Sequence, residues 1–180
     1  MKINLKKLTI SAMLTAAAVS LSAFAIPIGA SKCFPIQHLC NVIAGVFLGP
    51  WYAAGMAFCT SLIRNLMGTG SLLAFPGSMV GALLCGLLYQ NFRHLWVAYA
   101  GEVFGTGVLG GLLCFPVATL VMGQEAAVFA YVLPFLVSTA GGTAMAAVLN
   151  GFLVRSGAFG YFKRLLDDEA GLAAIQRSRP

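Results

Sequence analysis

The stretch PIGASKCFPIQHLCN, residues 27–41, interrupts a chain that is otherwise almost continuously apolar. It contains a lysine, a glutamine, a histidine, an asparagine and two prolines. Unpaired backbone groups are too costly to leave in hydrocarbon, so such a stretch must lie at a water interface or line a cavity. We expect it to form the lip of a small-molecule pocket.

The composition excludes an ordinary soluble domain. Of the 180 residues, 59% are hydrophobic and only 9% are charged, and the mean hydropathy is +0.89. Soluble domains carry about 25% charged residues. At about 20 residues per helical span, the chain has room for at most about six or seven spans and no separate soluble domain.

Six apolar runs predict an all-α integral membrane protein, a six-transmembrane-helix bundle. The runs are Leu8–Ile28, two short spans between Cys33 and Ile63 divided at Gly49-Pro50, Leu72–Tyr89, Leu95–Met122 and Ala126–Val154. Residues 1–154 are therefore expected to form a membrane domain with an outward-facing substrate pocket. Residues 155–180 are expected to form a cytoplasmic tail with a short interfacial helix.

The basic residues set the orientation. With both termini in the cytoplasm, only Lys32 and Arg64 fall outside, and nine basic residues fall inside, as the positive-inside rule expects. The formal charge of +6 is scattered and forms no stripe for nucleic acid. The five cysteines are odd in number and lack a CxxC pair, so we expect them to be packing residues.

The first run has two interpretations. Its basic start and the sequence Ala23-Phe24-Ala25 also fit a cleaved signal peptide. A retained helix is favoured because the run is long and repeats small residues, Ala12, Ala16 and Ser20, at four-residue spacing. That spacing makes a smooth helix face that another membrane helix can approach closely.

Hydrogen-bonding side chains follow spans one and three, which end on the same outer side in this topology. The candidate substrate-binding residues are Gln37, His38, Asn41, Arg64, Asn65, Thr69 and Ser71, with Phe34, Phe75 and Tyr131 as candidate walls. Each polar residue has another interpretation. Gln37 and His38 would end a helix at the headgroups, Asn41 would bond to a neighbouring helix, and Arg64 would be a snorkelling anchor.

Glu102 is the only acid inside an apolar run, which makes it a functional candidate. Counted from Leu95, however, its depth places it in the inner half of the membrane, away from the outer pocket. Asn150 is likewise expected near the inner end of its span, away from the outer pocket. The chain lacks the phosphate-loop, HExxH and GxSxG motifs, so we expect no enzyme activity and no cofactor.

Two long stretches carry a family resemblance: KCFPIQHLCNVIAGVFLGPWYA from Lys32 and SLIRNLMGTGSLLAFPGSMVGALLCGLLY from Ser61. Together with the small-residue face of the first run, these stretches resemble the substrate-binding S component of energy-coupling-factor (ECF) vitamin transporters. The resemblance is to the ThiW type and extends over Leu8–Val154. The resemblance implies capture of the thiazole precursor of thiamine, hydroxyethylthiazole or a close relative, at the cell membrane. It implies as partners a transmembrane coupling subunit and a pair of ATP-binding-cassette ATPases.

In such a protein Ala12, Ala16 and Ser20 would dock on the coupling subunit, although packing within the chain's own bundle competes with this role. The outer-side residues given above would bind the substrate. The alternative function is a stand-alone permease, with Glu102 as its proton-coupling group. A membrane-embedded enzyme acting on lipid is a third hypothesis.

Overall fold

The computed structural model describes residues 4–23, 26–28, 31–123, 125 and 127–166. The regular secondary structure of this part of the chain is helical except for one short hairpin, as predicted for an all-α protein. The helices are α1 Leu5–Ser20, α2 Pro35–Phe47, α3 Pro50–Leu66, α4 Ala74–Phe92, α5 Leu95–Val121, α6 Val132–Arg155 and α7, residues 158–166.

The predicted first helix ends earlier than expected. A helix over Leu8–Ile28 is wrong for its last residues, because strands β1 Ile26–Ile28 and β2 Ser31–Cys33 form an antiparallel hairpin there. Pro27 explains the change, since proline lacks the N–H that a helix interior needs. The sequence Ala23-Phe24-Ala25 and the predicted tail, residues 155–180, lie partly outside the described residues.

Three predicted breaks between helices are confirmed. Gly49 separates α2 from α3 with φ 96°, a left-handed conformation that glycine adopts without strain, and Pro50 starts the next helix. Gly68, with φ 72°, starts the loop after α3. Arg93 ends α4 with φ 57°. These local signals decide where the chain turns.

Helices α4 and α5 approach each other through glycines. A Cβ atom added at Gly105 would lie 2.8 Å from the Cα of Gly81, and one added at Gly110 would lie 2.5 Å from the Cα of Gly77. Small residues allow membrane helices to pack backbone to backbone. Within α5 the turns widen at Val103–Gly110 and Val117–Val121. Glu102 lies directly before the first wide segment.

The described residues place polar groups inside and apolar groups outside. Arg64, Glu102, Asn41 and Asn150 are among the largest fully buried side chains, whereas Leu120 is 84% exposed. Two described helices, Leu95–Val121 and Val132–Arg155, are long and apolar enough to cross a membrane by length and composition. This distribution suits a protein surrounded by lipid.

Candidate functional site

Helix α2 begins inside the bundle and not at its surface. The Phe34 amide donates to Ser138 Oγ at 2.8 Å, and Cys33 Sγ lies 3.4 Å from the carbonyl oxygen of Pro134. Ser138 lies about two turns from the start of α6. Because Phe34 contacts Ser138, α2 begins about two turns below that end of α6. A helix of 13 residues is only about 20 Å long. Its polar residues Gln37, His38 and Asn41 are consequently buried among the other helices.

Arg64 forms the centre of one polar group, which we call the Arg64 cluster: Arg64, Gln37, Phe34 and Thr69. Its Nη1 donates to Gln37 Oε1, its Nη2 donates to the Thr69 carbonyl at 3.4 Å, and its guanidinium carbon lies 3.7 Å from the Phe34 ring centroid. The side chain is 1% exposed, so the snorkelling interpretation is wrong. Its Nε is buried without a hydrogen-bond partner. The cluster therefore offers one spare cationic donor.

The surroundings of Arg64 are closed and hold no described counter-charge. Among the described residues no carboxylate lies within 4.0 Å of its guanidinium. A cavity of about 10 Å³ adjoins it, bounded by Ala18, Leu21, Ser22, Phe34, Pro35, Ile36, Gln37 and Arg64. That is about the space of one water molecule. A larger ligand must therefore move the neighbouring segments to reach Arg64.

Glu102 forms the centre of a second group, the Glu102 cluster: Glu102, His38, Asn41 and Thr106. Three groups converge on its Oε1: His38 Nδ1 at 3.0 Å, Asn41 Nδ2 at 3.0 Å and Thr106 Oγ1 at 3.2 Å. Glu102 Oε2 and Asn41 Oδ1 are buried without partners. The carboxylate thus ties α2 to α5 and keeps one free acceptor oxygen.

The expectation that Glu102 lies apart from His38 and Asn41 is wrong. That expectation counted depth along α5 from Leu95 and assumed that every helix starts at the surface. Because α2 starts two turns inside the bundle, His38 reaches the depth of Glu102. Asn150 does lie elsewhere, where its Nδ2 donates to Tyr99 Oη at 3.1 Å.

Two serines connect the clusters, and no pattern in the sequence marks them as site residues. Gln37 Nε2 donates to Ser61 Oγ at 3.3 Å, and Ser61 Oγ lies 3.1 Å from Ser78 Oγ. The Ser78 carbonyl in turn accepts from Asn41 Nδ2 at 3.3 Å. Gln37 and His38 are 4% and 6% exposed, so neither ends a helix at the headgroups. Asn41 contacts α4 and α5, which fits the interhelical role considered for it.

The remaining predicted binding residues belong to the last turn of α3 and the loop after it. Asn65 Nδ2 donates to the carbonyls of Ser61 at 2.8 Å and Ser71 at 3.0 Å, and Ser71 Oγ accepts from the Leu73 amide at 3.3 Å. Both side chains therefore shape the loop. The exposed Thr69 contacts Arg64 through its carbonyl.

Of the predicted aromatic walls, only Phe34 contacts a cluster among the described residues. It stacks on Arg64, whereas Phe75 packs against Phe58 with ring centroids 5.6 Å apart. Tyr131 lies half-buried at the start of α6. The structure thus unites Gln37, Arg64, Phe34 and Thr69, and separately unites His38 and Asn41 with Glu102.

The small-residue face of α1 is exposed. Ala12, Ala16 and Ser20 point away from the bundle, whereas Ser11, Thr15 and Ala18 are buried against it. Packing within the chain's own bundle is therefore the wrong explanation for these three residues. They line a mostly apolar groove of about 760 Å³ between α1 and α3.

Comparison with protein families gives a match that covers most of the chain. A model of the thiamine-precursor transporter protein family, ThiW, matches residues 8–156. Comparisons with curated proteins and with solved structures give no match. The family match covers well over half of the chain and includes both polar clusters and the exposed face of α1. ThiW is a family of transporters and not of enzymes. The chain therefore belongs to the ThiW family of thiamine-precursor transporter proteins.

Proposed function

We propose that this chain is the substrate-capture subunit, or S component, of an ECF-type importer for the thiazole precursor of thiamine. The observation that carries the proposal is the exposed face of Ala12, Ala16 and Ser20 beside an apolar groove. Small residues exposed toward lipid permit close approach by a helix of another subunit. The chain's sequence holds no phosphate-loop motif, so the coupling subunit and its ATPase pair would supply the energy.

The proposed membrane arrangement has six spans, α1 to α6, in the cell membrane. Residues 1–154 form the membrane domain, its substrate pocket faces outward, and residues 155–180 form a cytoplasmic tail. The buried polar groups support this arrangement, because charged side chains inside membrane bundles are rare and usually functional. The excess of basic residues at the opposite end from Arg64 supports the orientation.

The proposed substrate site is the Arg64 cluster and the adjoining loop after α3. Hydroxyethylthiazole carries a ring nitrogen and a hydroxyl oxygen, and either can accept a hydrogen bond from the free Nε of Arg64. Gln37 has both donor and acceptor groups in the same place. Because the adjoining cavity has room for only about one water, binding requires Phe34 or the 68–73 loop to move.

The docking part of the proposal is tested with Ala12→Leu and Ala16→Leu. Each adds a bulky side chain to the exposed face, and both should abolish copurification with the coupling subunit while thiazole binding persists. Ala17→Leu is the matched control, since Ala17 is exposed on the same helix but does not line the groove. Intact complexes with both groove variants would refute the docking role.

The substrate part is tested by mass spectrometry of ligand that copurifies with the full chain. A thiazole alcohol is the expected species. A different vitamin, such as riboflavin or biotin, would overturn the substrate and leave the architecture standing. ATP-independent, undiminished uptake by the isolated chain in liposomes would overturn the S-component assignment itself.

A proton-coupled permease is the second candidate, and the Glu102 cluster favours it. A buried carboxylate with a free Oε2 beside a histidine has the parts of an intramembrane proton site. Glu102→Gln keeps the shape and removes the titratable group. Proton-coupled uptake that is lost in this variant would support the permease, and uptake that is unchanged would exclude it.

A further inference from the structure

The hydrogen bonds around Gln37 have a fixed direction. An arginine side chain carries only donors, so Arg64 Nη1 must donate to the carbonyl oxygen of the Gln37 amide. The other half of that amide, Nε2, consequently faces Ser61 Oγ at 3.3 Å as a donor. A reversed amide would place the donors of Gln37 and Arg64 against each other. The arginine therefore determines how the Gln37 amide is oriented.

The same direction continues from α3 into α4. Ser61 Oγ accepts from Gln37 and lies 3.1 Å from Ser78 Oγ. Ser78 Oγ donates to the Ala74 carbonyl at 2.7 Å, so toward Ser61 it acts as an acceptor. This series of hydrogen bonds begins at a cation and ends at a backbone carbonyl. Reversing any bond in it would leave a buried polar group unsatisfied, which is costly.

The side-chain groups that remain unpaired in the Arg64 cluster are donors. Arg64 Nε is buried without a partner, and the second N–H of Gln37 Nε2 has no hydrogen bond among the described residues. The arginine side chain is 1% exposed, and no described carboxylate lies within 4.0 Å of it. A ligand that reaches this cluster therefore meets a positive charge and free N–H groups.

We propose that the Arg64 cluster selects uncharged thiazoles and rejects N-alkylated thiazolium ions, with Gln37 as a specificity-determining residue. The inference rests on the proposed substrate site. The ring nitrogen of a neutral thiazole has a lone pair that accepts a hydrogen bond, whereas alkylation of this nitrogen removes the acceptor and adds a positive charge. A thiazolium ring, such as that of thiamine, would leave buried donors unpaired and place a second cation beside Arg64.

Gln37 contributes to this selection because its side chain is neutral. The amide orients the guanidinium of Arg64 without cancelling its charge. A glutamate at the same position would supply the counter-charge that the cluster lacks. Unpaired charge is an effective means of rejecting a wrong ligand. The cluster would thus distinguish a precursor of thiamine from the complete vitamin.

The test is isothermal titration calorimetry of the full chain in detergent with three ligands: hydroxyethylthiazole, its N-methyl thiazolium and its C2-methyl derivative. Both derivatives add a methyl group, at adjacent ring atoms, but only the thiazolium loses the acceptor. Wild type should bind the thiazolium at least about a hundredfold more weakly than hydroxyethylthiazole, and the C2-methyl derivative at most about tenfold more weakly.

The outcomes separate this inference from the proposed substrate. Equal binding of the thiazolium and hydroxyethylthiazole would overturn the selection and leave the substrate standing. Equal weakening by the two methyl groups would also overturn it, because size and not charge would then decide. Binding of none of the three ligands would refute the proposed substrate, and the selection with it.

Gln37→Glu tests the role of the charge. The carboxylate has nearly the shape of the amide and can accept from Arg64, so the preference for hydroxyethylthiazole over the thiazolium should fall at least about tenfold. Gln90→Glu, the same change at an exposed position near the end of α4, is the matched control and should keep the preference. An unchanged preference in Gln37→Glu that still binds hydroxyethylthiazole would overturn the role of Gln37. If this variant does not fold, the comparison of ligands on wild type decides.

Discussion

Arg64 is the residue whose burial is hardest to explain by packing alone. Its charge is enclosed next to an aromatic ring and an amide, and its Nε has no partner. Burying a charge without compensation is expensive, so a ligand that accepts from Nε would lower the free energy of the cluster. Arg64 is therefore the centre of the proposed site.

We predict that Arg64→Gln weakens thiazole binding between about tenfold and a hundredfold. A hydrogen bond from a charged donor contributes about 1.5–3 kcal/mol, and about 1.4 kcal/mol corresponds to tenfold. Arg64→Lys keeps the charge but loses the planar contact with Phe34, so binding should also fall. Isothermal titration calorimetry in detergent measures both. Arg155→Gln, at an exposed position, is the control, and equal affinity in all four proteins would remove Arg64 from the site.

At Glu102 the expected effect of substitution is on stability. Glu102→Ala leaves His38, Asn41 and Thr106 without their shared acceptor inside the bundle. An unsatisfied buried polar group costs about 1–3 kcal/mol. Loss of the shared acceptor in Glu102→Ala should therefore lower the unfolding temperature in detergent by a measurable amount. Glu102→Gln keeps an acceptor at Oε1 and should lower it less. Glu125→Ala, at an exposed position, should have no effect; if Glu102→Ala behaves like it, the cluster does not stabilise the fold.

The sequence identified the polar residues of the site more readily than their partners. Arg64, Gln37 and His38 are conspicuous because they interrupt apolar runs. Ser61, Ser78 and Thr106 are not, since small hydroxyl residues occur throughout membrane helices and often bond only to their own backbone. Which pairs form depends on the relative depth of the helices, and the spacing of residues along one chain carries no measure of that depth.

Among the elements, the α4–α5 contact sets the tightest steric limit. We predict that Gly110→Ala destabilises the protein, because its Cβ would lie 2.5 Å from the Cα of Gly77 and the helices would have to separate. Overpacking of this kind typically costs about 1–3 kcal/mol. Gly151→Ala is the matched control, since nothing lies within 4 Å of its Cβ. Thermal unfolding in detergent should separate the two variants; equal stability would mean that α4 and α5 adjust freely.

Helix boundaries were predictable where glycine and proline act locally. Gly49-Pro50 divides α2 from α3 and α5 begins at Leu95, both as predicted, whereas α4 continues to Phe92, beyond its predicted end at Tyr89. The hairpin at Ile26–Cys33 was not predicted, because its first strand is as apolar as the helix before it. Its effect is large. It returns the chain to the interior, so α2 begins two turns deep and its polar residues meet α5.

The whole molecule has an asymmetry of charge between its two ends. Arg64 lies buried at one end, and Lys7, Arg93 and Lys163 gather around a cavity at the other. Basic residues at the end opposite Arg64 fit a cytoplasmic location of that end, as the positive-inside rule expects. The proposed site and the proposed docking face both depend on this topology.

Cysteine labelling tests that topology directly. In a variant with its five cysteines replaced, a single cysteine at Thr69 should react with a membrane-impermeant maleimide in intact cells, since Thr69 is exposed in the loop after α3. A cysteine at Arg93, exposed after α4, should react only after the membrane is opened. One helix separates these positions, so six alternating spans require opposite sides. Labelling of both from the same side would show that α4 does not cross, and an outward-facing site at Arg64 could not then coexist with a cytoplasmic end of α4.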